Sequence, residues 1–148
     1  MDIKELKPTS IWHYFDAITG VPRPSKKEER IREFLLNFAK EQNLEVKVDK
    51  TGNVVITKEA TPGCEGAPTV ILQAHMDMVC EKNGDVKHDF ERDPIETYID
   101  GEWVKARGTT LGADNGIGMA AAMAVLADKE LKHGRIQALF TVDEETGL

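Results

Sequence analysis

The sequence predicts an α/β domain with a mixed, largely parallel sheet flanked by helices. Three observations carry that prediction. The hydrophobic period changes from helical to alternating at Leu44. Two nearly continuous apolar runs, TVILQAH (69–75) and RIQALFTV (135–142), read as strands buried on both faces. Between them, MAAAMAVLAD (119–128) is rich in strong helix formers. Strand, helix and strand in that order give a parallel pair, because a helical crossover is the usual link between parallel neighbours.

The elements follow in order. Thr9 or Ser10 is placed to cap a first helix in which Ile11, Tyr14, Phe15 and Ile18 share a face, with Gly20 and Pro22 to end it. Ser25 and Glu28 have capping-box spacing ahead of a second helix, whose Ile31, Phe34, Leu35 and Phe38 form an apolar stripe. Leu44, Val46 and Val48 then alternate with charged neighbours, and Thr51-Gly52-Asn53 turns the chain into a strand over 54–57. A Pro- and Gly-rich loop, 61–68, leads into TVILQAH, which implies a central strand. Residues 81–94 are polar and read as a long loop, followed by a hairpin over 95–106 that turns at Asp100-Gly101. The last helix runs over 116–129, with His133-Gly134 to end it before RIQALFTV.

Composition and charge exclude several classes of function. The chain has 148 residues, 41% hydrophobic and 30% charged, which is enough to form one core without covalent staples. Nineteen Lys and Arg against 26 Asp and Glu leave a net charge of −7, so no nucleic acid is expected as a partner. No apolar stretch is long enough to span a bilayer, and MDIKELKPTS is not a secretory leader, so no membrane partner is expected. Cys64 and Cys80 lack CxxC spacing and are too few for a disulfide framework, which fits a cytoplasmic protein.

Three clusters carry candidate chemistry. His75 and Asp77 stand where TVILQAH leaves the sheet, the end at which α/β sheets hold ligands. Asp77 is placed to accept a hydrogen bond from one imidazole nitrogen while the other binds a metal, although such a pair also occurs as an ordinary loop histidine. Asp114 lies in GTTLGADNGIGMA (108–120), at the entrance to a helix, where an N-cap is an equal explanation. Glycines at 108, 112, 116 and 118 exceed what a cap needs and suggest that backbone passes close to something. A phosphate is disfavoured, because the turn carries a carboxylate and lacks the P-loop lysine. Glu144 and Glu145 follow RIQALFTV directly, and both reach one site only if the chain has left strand geometry. Acidic pairs on loops are usually just solvated. Together, His75, Asp114 and Glu145 are nitrogen and oxygen donors of the kind that suit zinc or a related divalent ion.

These clusters, in this order, resemble those of the aminoacylase and dipeptidase family of dinuclear zinc peptidases. The likeness covers the chain from the first helix to DEETGL (143–148), through IWHYFDAITGVPRPSKKEE, ILQAHMDMVCEKN and HDFERDPIETYIDGEWVKARGTTLGADNGIGMA. The resemblance implies metal-dependent hydrolysis of small dipeptide substrates, Xaa-His among them. It implies two Zn2+ ions per complete site, with Co2+ or Mn2+ as alternatives. In that scheme His75 binds one ion, Asp114 bridges the two, Glu145 binds the other, Asp77 orients His75, and Glu144 is the general base. It also implies a non-proline cis peptide at Asp114-Asn115. Residues 1–148 would be the N-terminal part of the catalytic domain, without the lid and dimerisation domain and without the later Glu or Asp and His ligands of the family. The longer enzyme would be a homodimer, while these residues alone would bind zinc weakly and leave dipeptides intact. The alternatives are a non-catalytic folded fragment, or a related amino-acid N-deacylase or carboxypeptidase. His13, His88 and His133 are expected at the surface or at caps.

Overall fold

After a helical turn at Ile3–Glu5 come helices α1 (Thr9–Thr19) and α2 (Glu29–Glu41) and strands β1 (Glu45–Val48), β2 (Val54–Lys58) and β3 (Val70–His75). Strands β4 (Thr97–Asp100) and β5 (Trp103–Ala106), helix α3 (Ala113–Ala127) and strand β6 (Ile136–Thr141) complete the order. This computed structural model describes residues 2–147, and Leu148, the end of DEETGL, lies outside them.

The strands form one sheet of order β1-β2-β6-β3 and a separate β4-β5 hairpin. The β3-α3-β6 unit is parallel as expected, with Val70 opposite Ile136 and His75 opposite Thr141. The sheet is mixed but not largely parallel: β1-β2 and β2-β6 are both antiparallel. The short β1-β2 connection leaves no room for a crossover, and inserting that hairpin beside β6 reverses the direction there. Asp49 builds the turn, its Oδ1 accepting the amides of Thr51, Gly52 and Asn53 at 2.8–2.9 Å.

Nor is β3 the central strand that its apolar run suggests. It lies at the edge of the sheet, with Val70 53% and Ile71 60% exposed. The buried apolar side chains of β2, β3 and β6, which are Val54, Ile56, Ala74, Ile136, Ala138 and Phe140, share one core with Phe15, Ile18, Ile31, Leu35, Met119, Met123 and Leu126 of the helices. Registers Val54↔Phe140, Ile56↔Ala138 and Ala74↔Phe140 put them on one face. The helices therefore cover that face, and β6 alternates between buried and half-buried positions.

Three capping expectations are also revised. Pro8, not Thr9 or Ser10, precedes α1, and no side chain caps it. Ser25 does not cap α2, which starts after Glu28; the Ser25 hydroxyl instead points to Asp77. Helix α3 ends at Ala127, well before His133-Gly134, because the Asp128 carboxylate turns the chain by accepting the amides of Glu130 and Leu131. In the β4-β5 hairpin Asp100 pairs with Trp103, so the turn is Gly101-Glu102, one residue later than expected.

Candidate metal centre

The carboxyl ends of the parallel strands β3 and β6 release His75-Met76-Asp77 and Asp143-Glu144-Glu145 side by side. Asp143 has φ 55°, so the chain has turned out of the strand and both glutamates approach the same place. The Asp114 segment arrives from the start of α3. Gly112 precedes it with φ 72°, and the Asp114-Asn115 peptide is cis. Asp114 and Asn115 have non-helical backbone angles. Those angles would suit an N-cap, but among the described residues the Asp114 carboxylate accepts no first-turn amide and meets His75 Nε2 instead.

Four acidic or imidazole groups meet here. His75 Nε2 lies 2.9 Å from Asp114 Oδ1, 3.7 Å from Glu144 Oε2 and 3.8 Å from Glu145 Oε1. Donor atoms of His75, Asp114 and Glu145 all fall within 4.8 Å of one another, the spacing at which one cation can be shared. His75 Nδ1 points the other way, 2.9 Å from the Asp77 carbonyl oxygen and 3.3 Å from Asp77 Oδ1. A carbonyl oxygen only accepts, so Nδ1 carries the proton and Nε2 is the nitrogen turned toward the carboxylates. Asp77 thus meets the ring more closely with its main chain than with its carboxylate.

The Asp77 carboxylate has further partners. Its Oδ1 accepts the Glu144 amide at 3.1 Å, and its Oδ2 accepts the Glu145 amide at 3.0 Å and the Ser25 hydroxyl at 2.6 Å. One buried side chain therefore ties the His75 segment to the turn bearing both glutamates. Burial disfavours its charge, but the Ser25 hydroxyl and the two amides outweigh that and hold its pKa below the usual carboxylate range. Burial also opposes protonation of His75, yet the bond to Asp114 and the Asp77 carbonyl prevail and shift it upward. Glu145 is shifted upward by burial and by its neighbours Asp114 and Glu144, against the pull of His75. Carboxylates crowded together in this way favour a cation among them.

Arg23 gave no signal in the sequence. Its guanidinium is buried behind the site, with Nη1 donating to the carbonyls of Met76 (3.0 Å) and Asp77 (3.2 Å) and Nη2 to that of Gly112 (2.5 Å). Burial lowers its pKa to about 10, against the attraction of Asp77 and the acids beyond it. It is also what the glycine-rich turn makes room for. A Cβ on Gly112 would lie 2.5 Å from Arg23 Nη2, and one on Gly116 would lie 2.8 Å from it. Arginine between two prolines reads as an ordinary loop residue, and only its position beside Ser25 could have drawn notice. His13, His88 and His133 take no part in the cluster.

The pattern of peptidase family M20/M25/M40 matches residues 71–148, which include His75, Asp114, Glu144 and Glu145. The chain belongs to this family. Among M20/M25/M40 relatives it is 52% identical to the cytosol non-specific dipeptidase of Escherichia coli (strain K12), covering 99% of this chain and 30% of that protein. The structure superposes on the aminoacylhistidine dipeptidase of Vibrio alginolyticus with a TM-score of 0.97 at 56% identity, covering 99% of this chain and 30% of that one. An aminopeptidase from Bacillus cereus matches with a TM-score of 0.74 at 27% identity, over 93% of this chain and 37% of that one. The chain thus spans about a third of the length of these relatives.

Proposed function

We propose that residues 1–148 form the metal-binding N-terminal part of the catalytic domain of a longer, metal-dependent dipeptidase. The observation that carries this reading is the convergence of His75 Nε2, Asp114 and Glu145 within 4.8 Å, at the carboxyl ends of two parallel strands. Their nitrogen and oxygen donors suit Zn2+, with Co2+ or Mn2+ as substitutes. In this reading His75 would help to hold one ion and Glu145 another, with the Asp114 carboxylate available to both. Peptide hydrolysis is favoured over N-deacylation because the relatives at 52% and 56% identity are named as dipeptidases. The first of these names also favours a cytosolic setting, and among the described residues no helix is long and apolar enough to cross a membrane.

Bound divalent ions would supply Lewis acidity to the scissile carbonyl and to a water beside it. The protein's own part is proton transfer and orientation. The Glu144 carboxylate accepts no hydrogen bond from the chain among the described residues and is half exposed, so it is free to take the proton of the attacking water. It then delivers that proton to the amine nitrogen as the C–N bond breaks. Its backbone amide is fixed on Asp77 Oδ1, which keeps the side chain beside His75 Nε2 while it cycles between charged and neutral. Asp77 holds the imidazole with Nδ1 protonated, leaving Nε2 as the ligand.

The test is a titration of the purified chain with Zn2+ or Co2+, alongside assays of dipeptide cleavage by the chain and by the longer protein. The reading expects weak cation uptake that Asp114→Ala abolishes, no cleavage by residues 1–148, and cleavage by the longer protein that Glu144→Gln abolishes. Uptake that Asp114→Ala leaves untouched contradicts the metal assignment. Full turnover by Glu144→Gln contradicts the assignment of the base.

A further inference from the structure

The segment joining α1 to α2 contributes no ligand, yet it touches every segment that does. Arg23 donates to Met76 and Asp77 at the exit of β3 and to Gly112 before Asp114. Ser25 donates to Asp77 Oδ2, the same oxygen that receives the Glu145 amide. The main chain joins in: the Met78 amide donates to the Arg23 carbonyl at 3.1 Å, and Pro24 bridges to Met78 in parallel. His75 Nδ1 and Arg23 Nη1 share the Asp77 carbonyl, so the guanidinium is one atom removed from the imidazole. These contacts lie 52 to 89 residues apart in sequence, so they cannot be explained as local turn chemistry.

We propose that Arg23 and Ser25 are positioning residues for the metal centre: Arg23 fixes the Asp114 segment relative to the His75 segment, and Ser25 fixes Asp77 beneath the Glu144-Glu145 turn. Two points distinguish this from ordinary packing. Only a planar fork serves carbonyls on separate segments at once; a lysine would carry the same charge but reach one of them. The turn is also shaped for this group, since Gly112 and Gly116 leave the space that Arg23 Nη2 occupies. The inference rests on the metal reading above, but it concerns residues outside the ligand set.

The experiment uses the 148-residue chain as Arg23→Lys, Arg23→Met and Ser25→Ala. Cobalt(II) affinity is read from visible absorption, and amide hydrogen exchange is read on the metal-free protein. The proposal expects cobalt binding to weaken about tenfold or more in Arg23→Lys and severalfold in Ser25→Ala, the range found for residues that orient ligands. It also expects exchange to quicken about tenfold at Met76, Met78 and Gly116 while the β2 and β6 amides keep their protection. Unchanged cobalt affinity in folded Arg23→Lys overturns it. So does exchange that quickens equally across β2 and β6, the mark of a purely structural role. If Arg23→Met fails to fold, Arg23→Lys and Ser25→Ala decide the matter. If the wild-type chain takes up no cobalt, the metal reading fails, and the local contrast in exchange alone upholds or overturns the clamp.

Discussion

Two triads of potential metal ligands lie within a few residues of each other, and they behave as opposites. His75, Asp114 and Glu145 form one; Glu28, Asp77 and Asp143 form the other, and each satisfies the same geometric test. In the second, the chain itself saturates the carboxylates. Glu28 Oε1 accepts the amides of Lys26 and Asp143, Asp77 accepts two amides and a hydroxyl, and Asp143 accepts Lys26 Nζ and the Thr146 hydroxyl. In the first, the Asp114 side chain is 85% exposed and that of Glu145 20%, and His75 Nε2 is the sole chain group facing their carboxylates among the described residues. Proximity of acids therefore does not define a ligand site. Oxygens that the chain leaves without donors do, and the saturated triad serves as the base on which the open one is mounted.

That contrast can be broken at either triad. The largest effect is expected from His75→Ala, which removes the only nitrogen donor and should weaken zinc or cobalt binding by about a hundredfold or more, measured by calorimetric titration. Next comes Asp77→Asn. An amide nitrogen in place of Oδ2 would face two donors, and urea unfolding should show a loss of about 2–3 kcal/mol. Glu28→Ala leaves the Lys26 and Asp143 amides without their acceptor and should cost about 1–2 kcal/mol, with metal affinity changed by no more than about threefold. Lys26→Ala removes an exposed ion pair with Asp143 and should leave the urea unfolding midpoint and metal binding essentially unchanged. Metal affinity lost in Glu28→Ala as fully as in His75→Ala would erase the distinction between the triads.

The open triad was legible in the sequence because each member adjoins an element whose period announces it: His75 ends one strand, Glu145 follows another, and Asp114 stands at a helix entrance. The saturated triad was not. Glu28 and Ser25 have the spacing of a capping box, and local pattern offers no reason to send one to the Asp143 amide and the other to Asp77. Arg23 was hidden for the same reason, since all its acceptors are backbone carbonyls, which every residue carries. The glycines did signal close approach, but the group approaching Gly112 and Gly116 is an arginine of this chain and not a ligand. Strand order was the other gap. An apolar run reports that a strand can be buried, and β3 shows that it does not report which neighbours are present.

X-ray diffraction from crystals of the chain soaked in zinc, recorded on both sides of the zinc absorption edge, would compare the two triads in one experiment. The account predicts anomalous density within bonding distance of Asp114 and of His75 Nε2 or Glu145, and none among Glu28, Asp77 and Asp143. Zinc at the second triad, or at neither while the protein remains folded, would contradict it.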